Sequence, residues 1–147
     1  MALRVMRSLE FLKQLPQWNG KVLSASGASQ GGLQTIWAAS LDPDVTDAVS
    51  IITWCSDLAG PEKGRPDGWR PTYVPALNYY DAAFHARRVK CPVDISRAGL
   101  GDDICPPSGL AILYNNLGSA KKKINWVQGS THGFVPDNAQ SFVVEQE

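Results

Sequence analysis

Cysteine is scarce in this sequence. The 147 residues hold three, Cys55, Cys91 and Cys105, an odd number with no Cys-x-x-Cys spacing. That argues against a disulfide framework and against a zinc site, and the thiols read as small buried hydrophobes. Histidine is scarcer still, with only His85 and His132 and no His-Glu-x-x-His, so no metal is expected. An excess of charge is absent too: Lys and Arg total 14, Asp and Glu total 14. Chains that grip nucleic acid by its phosphates carry a basic excess, and Lys121-Lys122-Lys123 is too short a run to supply one. No apolar stretch approaches the ~20 residues of a membrane helix, so neither nucleic acid nor membrane is an expected partner. Arg4, Arg7 and Glu10 interrupt any signal-peptide core at the start. This leaves the compartment open, leaning to the cytoplasm.

What is present is globular. Hydrophobic residues make up 44% and charged residues 19%, in a length that suits one domain over 1–147. Ala2 to Leu15 has helical apolar spacing, stopped by Pro16. Lys21 to Ser26 reads as a strand, Gly27 to Gly32 as a bend and Leu33 to Leu41 as a helix. Further strands are expected at Val45–Trp54, Val93–Ala98 and Lys123–Gln128. Helices are expected at Ala76–Val89, Ser108–Leu117 and about Val135–Glu147. Asp57 to Pro75, rich in Gly and Pro, reads as a surface excursion. This alternation predicts an α/β fold: a mostly parallel sheet of about four strands with helices on both faces. Ligands of such sheets sit at the carboxyl ends of the strands.

Those strand ends carry chemistry. Gly27-Ala28-Ser29-Gln30-Gly31 is Gly-x-Ser-x-Gly between a strand and a helix, a strained turn that lifts a serine hydroxyl above the sheet. Ser29 needs a base, and the base needs an orienting carboxylate. The loop after the third strand offers Asp102 and Asp103, which spacing alone does not separate. The loop after the fourth offers His132. The order Ser, Asp, His, each at a strand end, is that of an α/β-hydrolase. His85 lies within a helical stretch and reads as a packing or surface histidine.

Gly27-Ala-Ser-Gln-Gly-Gly32, together with Gly99-Leu-Gly-Asp-Asp-Ile-Cys-Pro-Pro-Ser108, resembles the acetyl xylan esterase and cephalosporin C deacetylase family of α/β-hydrolases. Arg7 to Leu12, Leu15 to Trp18, Tyr79-Tyr80-Asp81 and Ala86 to Val93 are similar to further segments of that family. The resemblance implies Ser29 as nucleophile, Asp102 as acid and His132 as base, with the Gln30 N–H as one oxyanion donor. It implies removal of acetyl groups from sugars through an acyl-enzyme, with no cofactor. Gly133 stands where the family often has Glu. The likeness is to the family's C-terminal half. Nothing here matches its N-terminal half, which carries an Arg-Gly-Gln motif near the second oxyanion donor. Losing one such donor typically costs roughly 100- to 1,000-fold in rate.

Trp54, Trp69 and Tyr73 lie in or beside the excursion and are candidates to stack on a sugar ring of an oligosaccharide ester. A prolyl-oligopeptidase-like peptidase shares the triad order and is the alternative enzyme. A non-catalytic remnant acting as an interaction module is the alternative of another class. With no preceding strand, the first strand is expected to be an exposed sheet edge, and the chain to form homo-oligomers through it.

Overall fold

The computed structural model describes residues 1–147. Four α-helices, α1 (Ala2–Gln14), α2 (Gln30–Leu41), α3 (Ala82–Ala86) and α4 (Pro107–Asn116), join five strands. These are β1 (Ser24–Ala28), β2 (Asp47–Ile51), β3 (Val93–Gly99), β4 (Lys122–Val127) and β5 (Ser141–Gln146). Spatial order follows chain order, β1-β2-β3-β4-β5. The first four strands are parallel, and β5 runs antiparallel to β4. The fold is thus partial α/β, with a mixed five-stranded sheet.

One apolar cluster holds the layers together. Ala48, Val93, Ile95 and Ile124 of the sheet meet Leu33 and Ile36 of α2, Ala82 and Ala86 of α3, and Leu110 and Leu113 of α4. Helix α2 packs on β1 and β2, α4 on β3 and β4, and α3 touches both helices. The helices therefore form one layer on one face, a correction to the expected two-sided cover. The cause lies in the last segment. The expected helix at about Val135–Glu147 is instead β5, where the aromatic and β-branched residues of Phe142-Val143-Val144 favour pairing over helix. Val144 pairs with Ile124, and the Phe142 ring stacks on Trp126 at 6.5 Å.

The helix expected over Ala76–Val89 is broken in two. Asp81 caps α3 by accepting from the Ala83 N–H, after a 3-10 turn at Pro75–Tyr79. The same buried carboxylate accepts from the N–H groups of Asp57 and Leu58, tying α3 to the start of the excursion. The first strand also begins later than expected, so Gly27 and Ala28 belong to the sheet. It is an edge strand, as expected. Val22 lies exposed before it, and Leu23 is buried in the core.

Candidate active site

Ser29 sits between β1 and α2 with φ 54° and ψ −114°, a backbone state few L-residues adopt. The surroundings over-determine it. Its N–H donates to the Ile51 carbonyl at 2.9 Å, and its own carbonyl accepts from Leu33 at 3.1 Å and Trp54 at 3.0 Å. Strain held this way aims the side chain away from the sheet. Gly27 is required by packing, because a Cβ there would lie 2.6 Å from the Gly31 carbonyl carbon. Gly32 is also close-packed, with a Cβ position 2.8 Å from Ser50 Oγ. Gly31 itself faces open space. Gln30 opens α2, so its N–H has no preceding turn to bond and points out at the positive end of the helix.

The other half of the site comes from the loops after β3 and β4. The Gly101 N–H donates to the Ser130 carbonyl at 2.9 Å, and Leu100 donates to Val127 at 3.0 Å. A Cβ at Gly99 would lie 2.5 Å from the Ser130 oxygen, so the two loops meet at van der Waals distance. Asp102 is buried between them. Its Oδ1 accepts from the N–H groups of Ile104 at 2.9 Å and Cys105 at 2.8 Å. Its Oδ2 faces His132 Nδ1 at 3.1 Å. A carboxylate held by two backbone donors presents its second oxygen to the ring in one direction, and Nδ1–H as donor leaves Nε2 as the basic atom. Asp103, which spacing could not tell from Asp102, is exposed and outside this contact. His85 is a packing residue: Nδ1 meets Ser40 Oγ at 2.8 Å and Nε2 meets the Tyr79 carbonyl at 2.9 Å.

Sequence reasoning missed Cys105. Its Sγ, an Asp102 oxygen and a His132 nitrogen lie within 4.8 Å of one another. Burial, with the Asp102 charge adding to it, pushes this thiol up to about 12. It is therefore a protonated S–H beside the Asp102–His132 pair. The signal was available: a carboxylate that accepts from the N–H three residues on brings that residue to its side. The same three side chains could face a cation, but Asp102 is already committed to three partners and a ligating thiol must first deprotonate.

The expected aromatic contacts divide. Trp54 and Trp69 stack at 5.3 Å, with Trp69 exposed and its N–H donating to the Ile104 carbonyl beside Asp102. A cavity of ≈ 30 Å³ beneath Trp69 is lined in part by Cys105 and Ile104. Tyr73 instead turns to Asn78 of the 3-10 turn that follows the excursion, at 3.2 Å.

The site can be set beside known proteins. The family model described as acetyl xylan esterase (AXE1) matches residues 71–145. The acetyl esterase Axe7A of Xylanibacter ruminicola is 35% identical over 128 residues, which are 80% of this chain and 29% of that protein. The solved acetyl xylan esterase from Paenibacillus sp. R4 superposes with a TM-score of 0.79 at 22% identity, covering 92% of this chain and 48% of its own. Acetyl xylan esterase 1 from Thermoanaerobacterium sp. JW/SL YS485 gives 0.77 at 25% identity, with coverages of 92% and 48%. An acylaminoacyl peptidase from Pyrococcus horikoshii shares the fold more distantly, with a TM-score of 0.66 at 23% identity over 86% of this chain and 22% of its own. The chain spans about half the length of the two esterase structures and under a third of the curated relative.

Proposed function

We propose a function from one premise: the chain belongs to the acetyl xylan esterase family. On this reading it is the C-terminal half of an α/β-hydrolase domain that removes acetyl groups from carbohydrate esters. The observation that carries it is the Asp102–His132 contact at 3.1 Å, set at the strand ends beside the strained Ser29.

The chemistry follows from the atoms. Ser29 Oγ attacks the ester carbonyl while His132 Nε2 takes its proton. Asp102 Oδ2 holds the Nδ1–H tautomer and stabilises the imidazolium that forms. The Gln30 N–H faces the developing oxyanion. The tetrahedral intermediate collapses, His132 protonates the departing sugar hydroxyl, and a water then repeats the sequence to release acetate. Trp54 and Trp69 form the platform for the sugar ring, and Tyr73 is left out of it. No cofactor enters any step.

The test is fluorophosphonate labelling of the folded chain with the adduct located by mass spectrometry, alongside hydrolysis of an acetylated xyloside and of a peptide amide. An adduct on Ser29 that disappears in His132→Ala, with turnover of the ester over the amide, is the expected result. Faster amide cleavage would make it a peptidase. Absence of an adduct on a folded chain would leave it an interaction module. As a separate part of the proposal, the β1 edge of the isolated chain pairs strand to strand with a second copy, and a monodisperse monomer in sedimentation at high concentration would refute that part.

A further inference from the structure

Arg97 lies in the middle of the chemistry without belonging to any pair named so far. It sits on β3, where the strand carries one extra residue. Ser50 pairs with Ile95 but Ile51 with Arg97, and on the other side Ile95 pairs with Ile124 but Ala98 with Trp126. Simple alternation from Ile95 would aim residue 97 into the helix-covered core. The extra residue hands that core position to Ala98, which is fully buried, and turns Arg97 away from it.

What Arg97 meets there is narrow. Its Nη2 donates to the backbone carbonyl of His132 at 3.1 Å, across 35 positions of sequence. Its Nε is buried with no partner, and the guanidinium forms no ion pair with any carboxylate. By contrast Arg65 and Arg70, in the excursion, are each paired with acids. A cation half-withdrawn from water without a counter-charge costs the fold stability, and a buried donor without an acceptor adds to that cost. A residue kept under those terms calls for an explanation other than stability.

We infer that Arg97 is a positioning residue for the base: it clamps the main chain of His132 so that Nδ1 stays on Asp102. Asp102 holds the ring and Arg97 holds the backbone, and together they remove the freedom of a loop that Gly129 and Gly133 would otherwise leave loose. This rests on the proposed esterase chemistry for its kinetic consequence, but not for the clamp itself.

The experiment compares Arg97→Met and Arg97→Lys with wild type by thermal unfolding, by ester kinetics and by the proton NMR resonance of the His132 Nδ1–H, assigned through His132→Gln. Arg97→Met is expected to melt no lower than wild type, because an uncompensated charge has been removed. It is also expected to lose roughly 10- to 100-fold in kcat at unchanged KM, and its Nδ1–H is expected to broaden through exchange with water. Arg97→Lys, with one donor in reach, is expected to recover part of both. A lowered melting point or failure to fold in Arg97→Met would make the residue structural and overturn the inference, as would unchanged kcat and an unchanged resonance. If wild type proves inactive on esters, the resonance alone decides the clamp, so failure of the esterase reading and failure of the clamp are read separately.

Discussion

The two halves of the site are held by different physics. Around Asp102 and His132, side chains and loop amides are fastened by discrete polar contacts: two N–H donors on Oδ1, the ring on Oδ2 and a guanidinium on the His132 carbonyl. Around Ser29 no such network holds the side chain. There the backbone does the positioning, through a φ of 54° and glycines packed against main chain. The first half is a network, vulnerable to removal of a partner. The second is a steric device, vulnerable to added atoms.

The most direct way to break the comparison is to delete the chemistry from each half. Ser29→Ala is expected to abolish ester turnover, a loss of up to ~10⁶-fold in kcat, with the thermal midpoint within a degree or two, since the turn is held by backbone. If the midpoint collapses, the hydroxyl was a structural part of the turn. Asp102→Asn is expected to cost roughly 10⁴-fold in kcat by offering His132 the wrong tautomer. It keeps an acceptor for the Ile104 and Cys105 amides, so circular dichroism should be unchanged.

Adding atoms sharpens the contrast. Gly27→Ala forces a Cβ to 2.6 Å from the Gly31 carbonyl carbon and is expected to destabilise by about 1–3 kcal/mol, measurable in urea unfolding. Gly31→Ala, two helical positions beyond Ser29 and facing open space, is expected within ~0.5 kcal/mol of wild type in the same assay. Equal losses at both glycines would mean that the turn is not a packing device.

A gentler probe is pH. Burial raises the thiols of Cys55 and Cys105 from 9.0 to about 12. Above pH 9 the unfolded chain loses these protons while the folded chain keeps them. Stability is therefore full below the unfolded value and falls as pH rises from 9 to 12. Thermal midpoints are expected to fall across that window in wild type and to fall less in Cys105→Ala. Equal slopes would mean that the Cys105 thiol is not buried as described.

Much of the site was legible because its chemistry is local in sequence. A serine between two glycines at a strand-to-helix junction, an Asp in a loop after one strand and a His after the next are readable from spacing and order. The directions of the aromatic rings were not legible: Trp54 and Trp69 stack on each other and Tyr73 turns to Asn78, since nothing in an irregular loop's sequence fixes where a ring points. Cys105 was legible as a small buried residue, but its place beside both Asp102 and His132 was not, since that depends on how two loops meet. Arg97 was invisible, since its direction depends on one extra residue in β3 that appears only when three strands are paired.

For the fold, hydrophobic runs and turn residues determined the α/β alternation and the four parallel strands, because those follow from local periodicity and chain order. The tertiary structure alone decided that all four helices lie on one face and that the last segment is a strand. Phe142-Val143-Val144 has an apolar run short enough to suit either state, and only the open edge of β4, offering backbone partners and the Trp126 ring, tips it toward pairing. A segment's own residues set what it can become, and its neighbours' unpaired hydrogen bonds select which of those states it adopts.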